Sequence, residues 1–442
     1  MRRAQGGLSR IGLWASICLF LAASSQAQEA VPSARGTRSE EHNFNPVNFF
    51  KDTGVAFPVT VTAEIFGNLS GGTSRTAIWE SLLEAGIEID FEKAARLKGF
   101  SLSVSALYPQ GTSLTNKAVH DFNTLSNLDA YDSVRLYEAW VQQEFDDGRF
   151  SIRLGQILAD AEFFGSDYGA LFINSSFGAI PLVSKNLNPP IFPVAAPGVR
   201  LRFVPRNSFY AEAAAFSGDV GEASTTNKHN TRLDFRGEDG VLVFAEIGYK
   251  LNPREGELAP PTAAGQGPDF NQPPPLPNPG MISGTYKLGA YYDSGEFPDS
   301  GGGSPHHGDY SIYFIADQEL WHPDASTERA LSFFTRIGVA PNDKNTVTFY
   351  ADTGFNYKGI LANRDKDTLG LGFSYAQLSR DLVDDSGHGI STHHEAVLEL
   401  TYQAEFGGRF LVQPDLQCIF DPGAVKPGPT AVVTGIRMTV RF

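Results

Sequence analysis

"TGIRMTVRF", residues 434–442, closes the chain. Read alternately, Thr434, Ile436, Met438, Val440 and Phe442 fall on one side, and Gly435, Arg437, Thr439 and Arg441 on the other. A period of two puts successive side chains on opposite faces of a strand, so the segment offers an apolar face and a cationic one. An edge strand of a soluble sandwich shows the same pattern, so the rest of the chain must decide.

Working back from that segment, alternating stretches recur nearly to the start, separated by Gly, Pro, Asn and Asp clusters. Sixteen are counted: 59–68, 82–93, 98–108, 133–146, 149–157, 198–205, 208–217, 240–251, 281–293, 308–321, 328–340, 345–358, 366–379, 393–406, 409–420 and 430–442. Several exceed the five or six residues usual in soluble strands. In "NTVTFYADTGFNYKG", Val347, Phe349, Ala351, Thr353, Phe355 and Tyr357 oppose Thr348, Tyr350, Asp352, Asn356 and Lys358. In "HHEAVLELTYQAEFGG", Ala396, Leu398, Leu400, Tyr402, Ala404 and Phe406 oppose Glu395, Val397, Glu399, Thr401, Gln403 and Glu405. "GTYKLGAYYDSG" divides in the same way, with Tyr286, Leu288, Ala290 and Tyr292 against Thr285, Lys287, Gly289, Tyr291 and Asp293.

One face is greasy, and the other carries charges that are costly to bury without partners. Lipid outside and water inside satisfy both, and closure removes the unpaired backbone edge. The expected fold is therefore all-β, a 16-stranded antiparallel transmembrane β-barrel over 56–442, with a lumen too wide for wall side chains alone to fill. Its last strand pairs with its first, which places Arg437 and Arg441 in the lumen.

Composition agrees. Charged residues are 19%, and aromatics reach 12% with 33 Phe and 15 Tyr. Beyond the first thirty residues no apolar run approaches the ~20 that a membrane helix needs. Residues 1–27 read as a cleaved signal peptide: Arg2, Arg3 and Arg10, then "IGLWASICLFLAA", then "SQA". Its apolar run is short for an anchor. Removal of three arginines and no acids takes the net charge from −15 to −18 and leaves Cys418 as the sole cysteine, so no intrachain disulfide forms. The acidic balance argues against nucleic acid as a partner. Residues 28–55 form a polar N-terminal segment.

With both termini on one rim, long links (109–132, 158–197, 218–239, 380–392) follow odd strands and short ones (146–148, 205–207, 407–408) follow even strands, as in outer-membrane barrels. Two links disagree: the Pro-rich insertion 252–280 follows the eighth strand, and "APNDKN" after the eleventh is short. Either a strand is miscounted or the termini rim carries an insertion. The stretch 158–198, "LADAEFFGSDYGALFINSSFGAIPLVSKNLNPPIFPVAAPG", is too long and too apolar for an idle link. It is expected to fold into the lumen as a constriction loop, bringing Asp160, Glu162, Phe163, Phe164, Asp167 and Tyr168 toward the path; an outer loop packed on its own hydrophobics is the alternative.

The order of "IFGNLSGG", "RLYEAWVQQEFDDGRFSIRLGQ", "ADAEFFGSDYGALFINSSFG", "PVAAPGVRLRF", "GTYKLGAYYDSGEF", "ADQELW", "VTFYADTGFNYKG" and "AVLELTYQAEF" resembles the carbohydrate-selective porins of the OprB family. The resemblance implies a bacterial outer-membrane channel for passive, carbohydrate-selective diffusion, with monosaccharides such as glucose entering the periplasm. It also implies an eyelet of arginines, carboxylates and aromatic rings. Sugar hydroxyls accept from guanidinium and donate to carboxylate, and their C–H faces rest on rings. Pleat parity then nominates the residues. With Tyr137, Ala139 and Val141 toward lipid, Glu138, Trp140, Gln142 and Glu144 face inward. The eyelet expectation is Glu138, Trp140, Arg153, Asp160, Glu162, Phe163, Asp167, Arg200 and Arg202, subject to register. A terminal Phe442 resembles the signal read by the barrel assembly machinery.

Expected partners are transient sugars, outer-membrane lipid and that machinery; monomer and trimer both stay open. No cofactor or metal is expected, since the pairs His306-His307 and His393-His394 point to opposite faces. A general or other-solute porin is the nearest alternative. A barrel lipase or protease is disfavoured because no G-x-S-x-G occurs, a 22-stranded plugged receptor because the chain is too short. A soluble glycan-binding β-protein would need no detergent once its signal is removed. The short segment before the first strand, the long insertion and the heavy acidity depart from the family pattern.

Overall fold

The computed structural model describes residues 53–206, 208–222, 224–234, 237–253, 282–323, 328–382, 392–424 and 428–442. The signal peptide, the polar segment up to residue 52 and most of the Pro-rich insertion lie outside them. Sixteen antiparallel strands close into a barrel: β1 Val59–Ser70, β2 Ala77–Asp90, β3 Phe100–Gly111, β4 Arg135–Phe145, β5 Phe150–Ile157, β6 Ala196–Arg206, β7 Phe209–Ser217 and β8 Val241–Leu251 in the first half. The second half holds β9 Gly284–Phe297, β10 His306–Trp321, β11 Ala330–Val339, β12 Val347–Lys358, β13 Thr368–Leu378, β14 His394–Phe406, β15 Phe410–Phe420 and β16 Ala431–Arg441. A two-residue strand, Val55–Ala56, lies against the end of β2.

Closure is by β16 against β1, with Arg437 opposite Glu64 and Ile436 opposite Ile65. The Arg437 Nε donates to Glu64 Oε2 at 2.7 Å, joining the last strand to the first. The alternation is as read: Ile436 and Met438 are 36% and 38% exposed on the outside, whereas Arg437 is 6%. Leu251 and Gly284 pair directly, so β8 and β9 are neighbours and the insertion leaves from the termini rim. The count of sixteen stands, and both discordant links are real.

Three expectations need correcting. The second strand starts at Ala77 rather than 82 and stops at Asp90 rather than 93. It stops because the Asp90 side chain accepts from the Glu92 and Lys93 amides and caps a short helix, Phe91–Ala95. Tyr137 turns into the lumen instead of toward lipid, because a bulge faces Val104 and Ala106 across to Ala139 and Leu136 and leaves Tyr137 and Glu138 together opposite one residue. Val347 is likewise buried inside, because the ladder slips between Val347 and Phe349.

Inward aromatics are seated on glycines of the neighbouring strand. Phe66 lies directly opposite Gly435, Tyr210 opposite Gly248, Tyr313 opposite Gly289 and Phe334 opposite Gly354. A side chain at these positions would strike the ring, which is why glycine interrupts otherwise β-branched strands. At Gly289 an added Cβ would stand 2.2 Å from Tyr313 Cζ. Gly289→Val is therefore expected to lower the stability of the lipid-embedded barrel by about 1–3 kcal/mol, the usual range for overpacking. Gly237→Ala, where nothing lies within 4 Å, should leave it unchanged. Denaturant titration in vesicles measures both, and equal midpoints would contradict the packing.

Candidate functional site

Burying a loop inside a barrel is ordinarily costly, because its backbone donors and acceptors lose water. Here two loops enter the lumen, 112–134 and 158–195, and wall side chains meet their backbones. Glu246 on β8 accepts from the Phe164 amide at 3.2 Å. Asp317 on β10 accepts from the Asp167 amide and the Ser166 hydroxyl. Glu399 on β14 accepts from the Ile173 and Asn174 amides at 2.6 and 2.9 Å. Glu395 on the same strand holds the first loop, accepting from Phe122, Asn123 and also Gly423 at 2.6, 2.7 and 2.8 Å. Wall donors meet carbonyls: Lys287 that of Gly165, Asn356 that of Tyr168, Gln413 that of Leu171 and Gln417 that of Leu125. The loops also bond to each other, Asn127 N to Ile173 O and Ser175 N to Thr124 O, both at 2.9 Å.

Apolar contacts complete the seating. Phe163 and Phe164 pack on Phe244 with centroids at 5.3 and 5.6 Å, among Phe216, Tyr291 and Tyr313 of the wall. Each fully buried phenylalanine contributes roughly 1.5–3 kcal/mol. On the other side Leu114, Val119 and Leu125 pack with Phe66, Ile78, Val397 and Val433. One side of the lumen, along β7 to β10, is consequently filled by packed rings.

The nominated residues divide into two groups. Arg153, Glu162 and Arg200 form a closed cluster in which Arg153 and Arg200 both donate to Glu162. Gln142 accepts from both arginines at 3.1 and 2.9 Å, and Trp140 lies under Arg153 with its ring centroid 3.8 Å from the guanidinium carbon. Burial alone would raise the Glu162 carboxyl, but the two arginines more than offset it and hold it down to about 2. Arg153 and Arg200 are only 2% and 0% exposed, so they bind the loop to the wall. Arg202 pairs with Glu212 at 2.5 Å and lies over the Tyr210 ring. Glu138 accepts from the Leu158 amide where the loop begins. Phe163 is in the packed core, and Asp167 is exposed.

Asp160 stands apart from these, on a cavity of about 290 Å³ between the two loops and the wall of β1–β4, β15 and β16. Its Oδ2 accepts from the Phe192 amide at 3.0 Å, and its Oδ1 has no hydrogen-bond partner among the described residues. Burial raises its carboxyl to about 6 despite those backbone donors. The same cavity is lined by Tyr137, Phe192, Glu84, Asp129, Lys185 and Arg437. Tyr137 and Phe192 meet edge to face at 6.2 Å. Burial also raises Asp129 and lowers Lys185. Sequence reasoning placed Arg437 in the lumen but did not nominate Asp129, Lys185, Tyr137 or Phe192. Tyr137 was hidden by the bulge, and Asp129 belongs to a loop whose polar sequence gave no sign of entering the barrel. Donors, acceptors and ring faces thus converge on one cavity, as recognition of a polyhydroxylated solute requires.

The family model for the carbohydrate-selective porin, OprB family, matches residues 74–442. Porin B of Pseudomonas aeruginosa is 23% identical over 438 residues, covering 88% of each chain. The putative porin QuiX of Acinetobacter baylyi is 22% identical over 422 residues, covering 88% of this chain and 89% of the relative. The high-pH structure of Pseudomonas putida OprB matches with a TM-score of 0.76 at 21% identity, over 89% of this chain and 96% of that one.

The carboxylate anchoring has a direct test. Glu395→Ala leaves three amides without their acceptor, that of Asn123 buried and those of Phe122 and Gly423 part-buried, and the buried one costs about 1–3 kcal/mol. Hydrogen exchange at Phe122, Asn123 and Gly423 should accelerate while the strand amides stay protected. Unchanged exchange would show that the loop is held by other means.

Proposed function

The chain belongs to the carbohydrate-selective porin, OprB family, and is a bacterial outer-membrane sugar-selective channel; we propose that it passes neutral monosaccharides, glucose among them, passively into the periplasm through the cavity around Asp160. The observation that carries this reading is a carboxylate and two rings on one cavity: Asp160, whose buried Oδ1 has no hydrogen-bond partner among the described residues, lines it together with Tyr137 and Phe192. A sugar hydroxyl donates to a carboxylate of this lining, its C–H face lies on a ring, and Lys185 and Arg437 supply donors to other hydroxyls. None of these contacts encloses the solute, so binding stays weak enough for release.

Glu138, Trp140, Arg153, Glu162 and Arg200 act in this reading by holding the 158–195 loop rather than by touching the solute, and Arg202 by pairing with Glu212 on the wall. Outer-membrane lipid covers the apolar skin. We assign Phe442 to recognition by the barrel assembly machinery; its amide donates to Val59 O at 3.0 Å and its side chain is exposed at the seam between the last and first strands.

Liposome swelling with purified protein tests the function. Neutral monosaccharides should enter much faster than charged solutes of similar size, and inertness toward every solute would end the channel reading. A second measurement concerns pH. Below about 6 Asp160 is protonated and the cavity carries one negative charge fewer; above it the charge is present. The cation-to-anion permeability ratio should therefore rise between pH 5 and 7, and Asp160→Asn should flatten that rise. A wild-type ratio that stays constant over this range would remove Asp160 from the path.

A further inference from the structure

We propose that Arg336 sets the aperture of the channel without touching the solute. It sits on β11 directly opposite Asp352 of β12 and is 1% exposed. Its Nε and Nη2 donate to Asp352 Oδ2 at 2.9 and 2.5 Å. The outer edge of the guanidinium is turned to the 158–195 loop. Nη1 donates to the carbonyls of Phe164 and Gly178 at 3.2 and 2.7 Å, and Nη2 to that of Ser176 at 3.0 Å. Tyr350 adds a hydroxyl 2.7 Å from the same Ser176 carbonyl.

These carbonyls lie at both ends of one lobe. Phe164 precedes it, and Ser176 and Gly178 close it, so a single planar fork ties its two feet to the wall. The same lobe supplies Ala170, Leu171, Ser175 and Gly178 to the cavity. Arg336 itself does not line the cavity. Movement of its fork is thus converted into movement of the lobe that narrows the path. Lysine could keep the charge but not the fork, since one ammonium cannot hold a carboxylate and three carbonyls in a plane. The neighbouring anchors Glu246, Asp317 and Glu399 grip the lobe by amides and Lys287 holds the Gly165 carbonyl; Arg336 gathers carbonyls from both ends of the lobe.

The role rests on the channel reading above, and its test reads salt conductance, which does not depend on the identity of the solute. In planar bilayers, Arg336→Gln should raise single-channel conductance at least about two-fold and reduce discrimination between sugars and charged solutes of like size, because pore diameter governs both. Arg336→Lys should fall between it and wild type. Heat-modifiable gel mobility reports whether each barrel is folded.

A covalent rescue separates loop position from every other effect of the substitution. Ser176 Oγ and Ser374 Oγ are 2.9 Å apart, lobe to wall. In an Arg336→Gln, Cys418→Ser background, Ser176→Cys with Ser374→Cys should restore the wild-type conductance when oxidised and lose it again on reduction. A folded Arg336→Gln barrel with wild-type conductance would overturn the proposal. So would a widened channel that the oxidised pair fails to narrow. A wild-type protein that conducts nothing would instead strike the channel reading itself.

Discussion

A peptide group withdrawn from water must find another partner, and the interior of this barrel is arranged around that requirement. The two loops that enter the lumen bring unpaired amides and carbonyls with them. Carboxylates on β8, β10 and β14 take the amides, while Arg336, Lys287, Asn356, Gln413 and Gln417 take the carbonyls. A strand face that looks from sequence like a hydrated wall is therefore largely a set of sockets. The pronounced acidity of the chain finds part of its explanation here: many of its inward acids are occupied by loop backbone, leaving fewer to confront the solute.

The fold was legible because the two-residue period survives in nearly every strand. "TGIRMTVRF" separates Arg437 from Ile436 and Met438, and the structure puts the arginine inside and the others outside. Where parity failed, it failed at bulges. One extra residue between Ala139 and Leu136 reversed Tyr137, and a slip beside Phe349 reversed Val347. Nothing in residue type marks those slips, since Tyr and Val suit either face. The start of β2 was missed for a related reason: Trp79, Glu80 and Ser81 interrupt the apolar rhythm although Glu80 and Ser81 are buried.

The site was legible in part. A long apolar loop after β5 announced its entry, and Asp160 was among its nominated residues. Parity gave the direction of Arg153 and Arg200 correctly but not their company. Direction says that a side chain leaves the wall inward, not whether it meets water, a solute or Glu162. The loop 112–134 was silent for a different reason, because its anchoring is supplied by Glu395, Gln417 and Arg437, residues some 270 or more positions away. A polar segment looks alike whether it waits for solvent or for a distant carboxylate.

The contact between Arg437 and Glu64 spans 373 positions and links the end of the chain to its beginning. Arg437 also donates to Ser126 and stands on the cavity wall. The cavity wall and the seam of the cylinder thereby share one residue. A cylinder left open at that seam would lack the Arg437 part of the cavity wall as well as its closure, so one ion pair serves the shape of the tube and the lining of its interior.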